Sequence, residues 1–304
     1  MTLSVATTAK KPRSRRGRTG PGFPPPSLGP SPLARALGIM VLIGACLYFL
    51  VPVYWLIVAS TKNNADLAST FGLWFADFNL AQNYESLMHW TQGLFWRWVA
   101  NSVLYSGAAG AIGTLLAVMA GYGIAKFEFP GKKVFVGAIM GGLLLPIALL
   151  TVPLYIEFDA LGLTNTIWAI IIPSAASPFG VFLGIVFAKT AVPTEIIEAA
   201  RIDGASEARI FFTIVLRLLG PAMVTIFLFI FVATWNNFLL PLLMVSSPEL
   251  KPVTLGLYGM MSYFSPDKGA VMLGALLGIV PLVILFFTLQ RYWRSGLAAG
   301  AVKG

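Results

Sequence analysis

The run of residues 269–290, GAVMLGALLGIVPLVILFFTLQ, is 22 residues long and has no charged side chain. An α-helix needs about 20 apolar residues to cross the hydrocarbon core of a bilayer, so this run predicts a membrane-spanning helix. Five more charge-free runs, each at least 23 residues long, precede it at 36–61, 98–125, 134–156, 160–188 and 218–248. The sequence therefore predicts six transmembrane helices.

The composition supports this prediction. Of the 304 residues, 57% are hydrophobic and 11% are charged, and the mean hydropathy is +0.81. Soluble domains carry about 25% charged residues, so this composition excludes a disordered chain, a coiled coil and a conventional soluble enzyme. A transmembrane β-barrel would show short segments of alternating polarity instead of long apolar runs. The predicted fold class is all-α, a polytopic membrane protein with six transmembrane helices.

Lysine and arginine are distributed unevenly between the runs. Seventeen of the 21 lie before the first run, in the second and fourth loops, or after the last run, and four lie in the other three loops. Loops rich in Lys and Arg stay on the cytoplasmic side of a membrane. We therefore expect a multi-pass protein of the cell membrane with both termini in the cytoplasm.

The first 34 residues are basic and rich in proline, and no acidic residue precedes Asp66. Such a segment cannot bury enough apolar surface to fold, so we expect a disordered cytoplasmic tail over 1–34. Its charge is interpreted as a topology determinant beside anionic lipid, and no nucleic-acid partner is expected. The transmembrane domain is predicted to cover 35–293, followed by a cytoplasmic C-terminal tail over 294–304.

The first loop on the opposite side, about 60–97, contains a group of aromatic residues: Phe71, Trp74, Phe75, Phe78 and Tyr84. Aromatic side chains are enriched where a membrane meets water, so a lipid-interface belt is one interpretation, and a docking surface for an external protein is the other. His89 in the same loop is expected at the surface. Because Cys46 and His89 are the single cysteine and histidine, the sequence predicts no disulfide framework and no metal site. No catalytic residue is predicted, because the sequence offers no paired carboxylates and no nucleophile–base set.

The fifth run contains the polar stretch Thr234-Trp235-Asn236-Asn237 near its middle. Adjacent amides would be costly facing lipid, so we expect at least one to face a cavity or another helix. Hydrogen bonding between helices is one interpretation. The other is a substrate path formed by Trp235, Asn236 and Asn237, because an aromatic ring beside amides suits a sugar. Four prolines are predicted to kink the third and fourth spans: Pro146, Pro153, Pro173 and Pro178.

Groups that could energise transport are not found in the predicted spans. Ion-coupled carriers place ionisable groups within the membrane, but here acidic residues such as Glu157 and Asp159 lie outside the runs, beside the end of the third. The chain also lacks the GxxxxGK[ST] loop that cradles nucleotide phosphates. The sequence therefore predicts no ATPase site of its own, and active transport would need a partner.

The fourth loop, 189–217, contains the stretch PTEIIEAARIDGASE from residue 193 to residue 207. Thr194 is predicted to cap a short helix, with Glu195 and Glu198 in its first turn. Glu198 and Arg201 are spaced to pair at i, i+3. Gly204 is predicted to end the helix with positive φ, before a second short helix leads into the fifth span.

This loop resembles the EAA motif of ABC-importer permeases, E-A-A-x3-G-x9-I-x-L-P. The match consists of Glu198-Ala199-Ala200, Gly204, Ile214 and Leu216, while Arg217 replaces the final proline. Residues 290–304 are similar to the C-terminus of carbohydrate-importer permeases, and most of all to the smaller permease of maltose/maltodextrin-type systems. The resemblance covers about 36–304 and implies the type I ABC-importer permease architecture.

The resemblance implies a permease subunit of an ATP-driven sugar importer, most of all for oligosaccharides. Contact with a cytoplasmic ATP-binding subunit is implied for Glu198, Ala199, Ala200, Asp203 and Gly204. The implied partners are a second permease, two ATP-binding subunits, an extracytoplasmic sugar-binding protein and membrane lipid. No cofactor is expected in the chain itself, because the partner subunit binds ATP. The alternatives are an ion-coupled secondary carrier of a small solute and a membrane enzyme or scaffold.

Overall fold

The computed structural model describes residues 32–261 and 267–301; of residues 291 and 293–301 it describes the backbone alone. Residues 1–31, most of the predicted basic tail, lie outside the described residues. The described residues form helices and loops and contain no β-strand. The predicted all-α class is therefore confirmed. Fifteen α-helices occur within the described ranges: α1 Pro32–Ser60, α2 Asn64–Ser69, α3 Leu80–Trp90, α4 Phe95–Lys126, α5 Lys132–Leu144, α6 Ile147–Ala160, α7 Trp168–Ala175, α8 Pro178–Ala191, α9 Thr194–Ile202, α10 Glu207–Ile210, α11 Leu216–Leu218, α12 Gly220–Trp235, α13 Leu239–Met244, α14 Val253–Gly259 and α15 Lys268–Ala301.

Four stretches among the described residues are long and apolar enough to cross a membrane: Pro32–Ser60, Phe95–Lys126, Trp168–Ala191 and Lys268–Gln290. Two bent helix pairs pass the same test together. The helices Lys132–Leu144 and Ile147–Ala160 meet at 105°, and Glu207–Leu218 meets Gly220–Trp235 at 80°. Counting each pair as one span gives six, the number that the charge-free runs predict, although the second pair begins at Glu207, before the fifth run.

The chain divides into two compact units, residues 1–51 and 52–304. The described part of the first unit, residues 32–51, is helical throughout. In the second unit, α4 is the central helix, because α7, α8 and α12 all pack against it. Buried side chains of the second unit form three hydrophobic clusters, and each of the three includes residues of α4.

Close packing between α4 and α8 depends on two glycines. A Cβ on Gly184 would lie 2.5 Å from the carbonyl oxygen of Ala117, and a Cβ on Gly121 would collide with the backbone of Gly184. Small residues let helices in a membrane approach until their backbones touch, where van der Waals contact replaces the missing hydrophobic driving force. These glycines therefore hold the fourth span against the second.

Proline accounts for some of the helix breaks but not all. Pro146 precedes α6 at the 105° bend, and Pro178 starts α8 after a short break at 176–177. Proline cannot donate the backbone hydrogen bond that a continuous helix needs, which explains both breaks. Pro153 and Pro173, in contrast, lie inside α6 and α7. The kinks predicted at Pro146 and Pro178 coincide with real breaks in the helices.

The fifth apolar run is not one continuous helix. The chain passes from α10 through a π-helical turn, Phe211–Val215, into α11, and then bends into α12. The helix stops again at Trp235, and α13 starts at Leu239. The polar stretch at 234–237 therefore lies at the end of a helix, which corrects the expectation that it lies in the middle of one.

Candidate functional site

The loop between α8 and α12 is built around α9, a nine-residue helix that begins at Thr194. Pro193 takes the N-cap position, and no side chain caps the helix there. The predicted cap at Thr194 is therefore wrong: Thr194 is already helical, and its hydroxyl instead accepts a 3.3 Å hydrogen bond from Lys126 Nζ. Proline suits the start of a helix because it has no N–H to leave unpaired. The bond from Lys126 ties the start of α9 to the end of α4.

The two faces of α9 differ in exposure. Ile197 and Ala200 are buried in one cluster with residues of α4, α8 and α12. The opposite face carries exposed residues at i, i+3, i+4 and i+7: Glu195, Glu198, Ala199 and Ile202. Ile202 is 85% exposed, although isoleucine is one of the residue types most often buried in folded proteins. The helix thus presents two carboxylates, a small residue and a protruding apolar side chain on one face.

The turn after α9 depends on Gly204, whose φ is +78°. The N–H of Ala205 donates to the carbonyl of Ala200 at 3.0 Å, and the N–H of Asp203 donates to that of Ala199 at 3.0 Å. A left-handed residue after a helix lets the following N–H groups satisfy its last carbonyls, and glycine takes that conformation without a Cβ clash. The predicted positive φ and helix end at Gly204 are confirmed.

Arg201 joins the two helices on either side of this turn. Its Nε donates to Glu207 Oε1 at 2.6 Å, so the predicted pair with Glu198 is replaced by one across the turn. The hydrogen bond from Arg201 to Glu207 raises the pKa of the Arg201 guanidinium above its ordinary value. Because Gly204 folds the chain back on itself, Glu207 comes closer to Arg201 than i, i+3 spacing brings Glu198.

Aromatic side chains connect this turn to the end of α4. The guanidinium of Arg201 lies over the Phe127 ring, 5.6 Å from its centroid. The ring of Tyr122 contacts Phe127 at 5.6 Å and Phe211, beyond α10, at 5.7 Å between centroids. A cation above an aromatic face and ring pairs in edge-on or tilted contact both resist displacement. The loop is therefore packed firmly against the second span.

The three residues of the predicted substrate path, Trp235, Asn236 and Asn237, lie in three different environments. Trp235 is buried and stacks on Phe231 at 5.7 Å. Asn236 is exposed, and its Nδ2 donates to Val232 O at 2.9 Å. Asn237 is half-buried, and its Oδ1 accepts from the N–H of Leu240 at 3.3 Å. Both amides bind backbone groups on either side of the helix break.

Sequence reasoning missed some residues of this site. Ile202 could have been noticed as an apolar residue four positions after Glu198 on a polar helix face. The contacts of Phe127 with Arg201 and of Tyr122 with Phe211 had no local signal, because they join residues 74 and 89 positions apart in the chain. Within the described residues, no group of three or more His, Cys, Asp or Glu side chains could hold a metal ion.

Residues 113–298 match the family described as binding-protein-dependent transport system inner membrane component. The chain belongs to this family. It is thus a multi-pass membrane permease, and the predicted resemblance to ABC-importer permeases is confirmed. Membership decides against the ion-coupled carrier.

Several characterised permeases are similar in sequence. The arabinooligosaccharides transport system permease AraQ of Halalkalibacterium halodurans is 36% identical over 212 residues, which cover 70% of this chain and 76% of AraQ. The lactose transport system permease LacG of Rhizobium radiobacter is 32% identical, over 83% of this chain and 90% of LacG. The melibiose/raffinose/stachyose import permease MelC of Bacillus subtilis is 31% identical, over 89% of this chain and 97% of MelC.

A solved structure has the same fold as this permease. It is a bacterial ABC transporter involved in the import of the acidic polysaccharide alginate, and its matched chain superposes with a TM-score of 0.73. The match covers 87% of this permease and 99% of that chain, at 22% sequence identity. At this identity the likeness concerns the fold, which is that of an ABC-importer permease.

Proposed function

We propose that this permease is one half of the translocation path of an ATP-driven sugar importer, and that oligosaccharides are its substrates. The similarity to permeases named for arabinooligosaccharides, lactose and raffinose supports a carbohydrate substrate. The proposed partners are a second permease, two copies of a cytoplasmic ATP-binding subunit and an extracytoplasmic sugar-binding protein. ATP is bound by the partner subunit, and this chain has no ATPase site of its own.

The coupling surface is proposed to be the exposed face of α9 together with its turn. The observation that carries the proposal is the contrast between the two faces of this short helix. Ile197 and Ala200 hold it to the membrane domain, while Glu198, Ala199 and Ile202 are exposed. A helix fixed on one side and unpartnered on the other can transmit force from a bound subunit. Ala200 then supports the surface from beneath.

The turn completes that surface. Asp203 and Gly204 are both exposed, directly after Ile202. The carboxylates offer charge to a basic or hydrogen-bonding groove, while Ile202 offers an apolar side chain whose burial against a partner would contribute about 2 kcal/mol. A glycine at the turn lets a partner surface approach the backbone closely.

Replacing Gly204 by Asp tests the coupling role. The change places a side chain at positive φ, which costs about 1 kcal/mol, and adds bulk and a negative charge to the turn. We expect near-normal insertion of the permease, weak association of the ATPase and loss of sugar uptake. Gly131→Asp is the matched control, because Gly131 also has positive φ, +83°, but lies outside the loop. A Gly204→Asp permease with full uptake and a bound ATPase would contradict the proposal.

The proposed orientation places both termini and the α9 loop in the cytoplasm. It rests on the 17 to 4 distribution of Lys and Arg between the two sides. Cysteine labelling in intact cells tests it, starting from Cys46→Ser. A membrane-impermeant maleimide should label His89→Cys and leave Ser206→Cys unlabelled. Labelling of Ser206→Cys from outside would reverse the orientation.

A further inference from the structure

An exposed aromatic segment follows α2, on the side of the spans opposite to the α9 loop. Phe71, Trp74 and Phe78 are 73%, 68% and 69% exposed. Between Leu67 and Phe78 the one charged residue is Asp77, which is exposed. Phe75 ties the group together, because its ring stacks on Phe78 at 5.4 Å and contacts Trp74 at 6.4 Å. Three large aromatic side chains thus project from one ordered segment, which we define as the aromatic segment, residues 70–78.

The aromatic segment runs back along the first span. The Phe75 ring meets Tyr54 edge-on at 6.4 Å, and a Cβ on Gly72 would lie 3.7 Å from Trp55 Nε1. Tyr54 lies six residues before Ser60, where α1 ends. At 1.5 Å per residue, this places Tyr54 about 9 Å below the end of the helix. The aromatic segment therefore sits level with residues inside the spanning helix.

A buried lysine holds the aromatic segment in this position. Lys62 is 1% exposed, and its Nζ donates to Phe71 O and Thr70 Oγ1, both at 2.8 Å. The Thr70 hydroxyl in turn donates to Asp66 O at 2.6 Å. Burying a lysine is costly unless its donors are satisfied, so these bonds compensate for the burial and fix the segment.

Lys62, whose hydrogen bonds to Thr70 and Phe71 we call the Lys62 clasp, is itself held in place. The Asn83 side-chain amide donates to Ser60 O at 2.8 Å and to Lys62 O at 3.0 Å. The backbone of Lys62 is also packed closely on α15, because a Cβ on Gly269 would lie 2.6 Å from Lys62 O. The end of the first span, α3 and the start of the last span therefore meet at Lys62.

We propose that the aromatic segment is an interfacial lipid anchor, held by Lys62 so that Phe71, Trp74 and Phe78 enter the boundary between headgroups and acyl chains. Amphipathic aromatic rings favour this boundary. Its depth beside Tyr54 and Trp55 favours lipid over an external protein, which would meet residues beyond the end of the helix. The anchor does not depend on the proposed coupling role of α9.

Site-directed spin labelling tests the anchor in the assembled transporter, reconstituted in phosphatidylethanolamine/phosphatidylglycerol vesicles. The spin label is attached to Trp74→Cys in a permease that also carries Cys46→Ser. The collision rates of the label with oxygen and with a water-soluble nickel complex are then measured. Ile284→Cys on α15 is the lipid control and Glu85→Cys on α3 the water control, since both positions are exposed. We expect the Trp74→Cys label to resemble the lipid control, with high oxygen and low nickel accessibility.

Two other results would overturn the anchor. High nickel accessibility, as in the Glu85→Cys control, would place the aromatic segment in water. Low accessibility to both reagents would mean that a protein surface covers it. The clasp is tested in the same background by Thr70→Val, which removes one acceptor of Lys62 and keeps the side-chain volume. We expect increased label mobility at position 74; unchanged mobility would contradict the role of Lys62.

Discussion

The turn at Gly204 and the helix break at Asn236 both end a helix beside polar residues, but they satisfy the backbone differently. At Gly204, a left-handed glycine and backbone hydrogen bonds complete the turn. At the break, the amides of Asn236 and Asn237 bind backbone groups themselves. Within the described residues, neither the Glu198 nor the Asp203 carboxylate forms a hydrogen bond, so both are available to a partner. The amides at the break are thus used by the backbone, whereas the carboxylates beside Gly204 remain free for the proposed coupling role.

The largest effect is expected at Ile202, on the coupling surface. Ile202→Asp replaces an 85% exposed apolar side chain by a charge where we propose that the ATPase docks. Loss of such an anchor costs about 2 kcal/mol, roughly a thirtyfold rise in the Kd of the ATPase. Co-purification and titration of the ATPase in detergent measure the change.

Ile202→Met is the matched control for that substitution. It keeps apolar volume and adds no charge, so association and uptake should remain near normal. Equal ATPase affinity in wild type and Ile202→Asp would remove Ile202 from the coupling surface. It would also remove the contrast between the exposed face of α9, which we propose binds a partner, and the helix break at Asn236, whose amides bind the backbone.

The two asparagines should respond differently from each other. Asn237→Leu removes the acceptor for the Leu240 N–H at a half-buried position, so we expect a stability loss of about 1 kcal/mol and reduced assembly. Asn236 is exposed, and its bond to Val232 O is secondary because that carbonyl also accepts the backbone N–H of Asn236. Asn236→Leu should therefore keep assembly and reduce uptake.

Thermal stability of the purified complex and sugar uptake in vesicles separate these outcomes. Asn236→Gln is the control, since it keeps an amide at the same position. Lost assembly in Asn236→Leu would favour a packing role for Asn236 and remove it from the proposed substrate path. Unchanged stability in Asn237→Leu would show that the break does not need its side chain.

Sequence reasoning works well for the spans because it depends on a strong local constraint. A charge-free run such as 269–290 has few alternatives to a membrane helix, and the structure continues that helix from Lys268 to Ala301. Helix breaks inside a run are weaker signals. Pro146 predicts its break through a missing N–H. At the stop after Trp235, the side-chain amides of Asn236 and Asn237 form hydrogen bonds with the backbone that no periodicity reveals.

The loop around α9 shows the same limit at the level of side chains. Local spacing correctly predicts a glycine turn at Gly204, because a left-handed residue is a local requirement. Spacing alone assigns Arg201 to Glu198, but the turn brings Glu207 closer. The support from Phe127 comes from another part of the chain. Contacts made by chain reversal or by distant segments need the fold before they can be assigned.

The smallest effect is expected for the ion pair between Arg201 and Glu207. Both side chains are partly exposed, and such pairs contribute about 0.2–1 kcal/mol. Arg201→Glu should lose this pair and the contact over Phe127, loosening the turn and lowering the uptake obtained per ATP hydrolysed. Combining it with Glu207→Arg restores the pair with reversed charges, while the cation above Phe127 stays absent. We therefore expect partial recovery in the double variant, and less recovery as salt screens the pair.

Measuring uptake and ATP hydrolysis together in vesicles gives this ratio for the wild type, both single variants and the double variant. Full recovery would assign the whole effect to the ion pair, and no recovery would assign it to Phe127. Wild-type ratios in both single variants would mean that Ile197 and Ala200 alone hold the coupling surface in place.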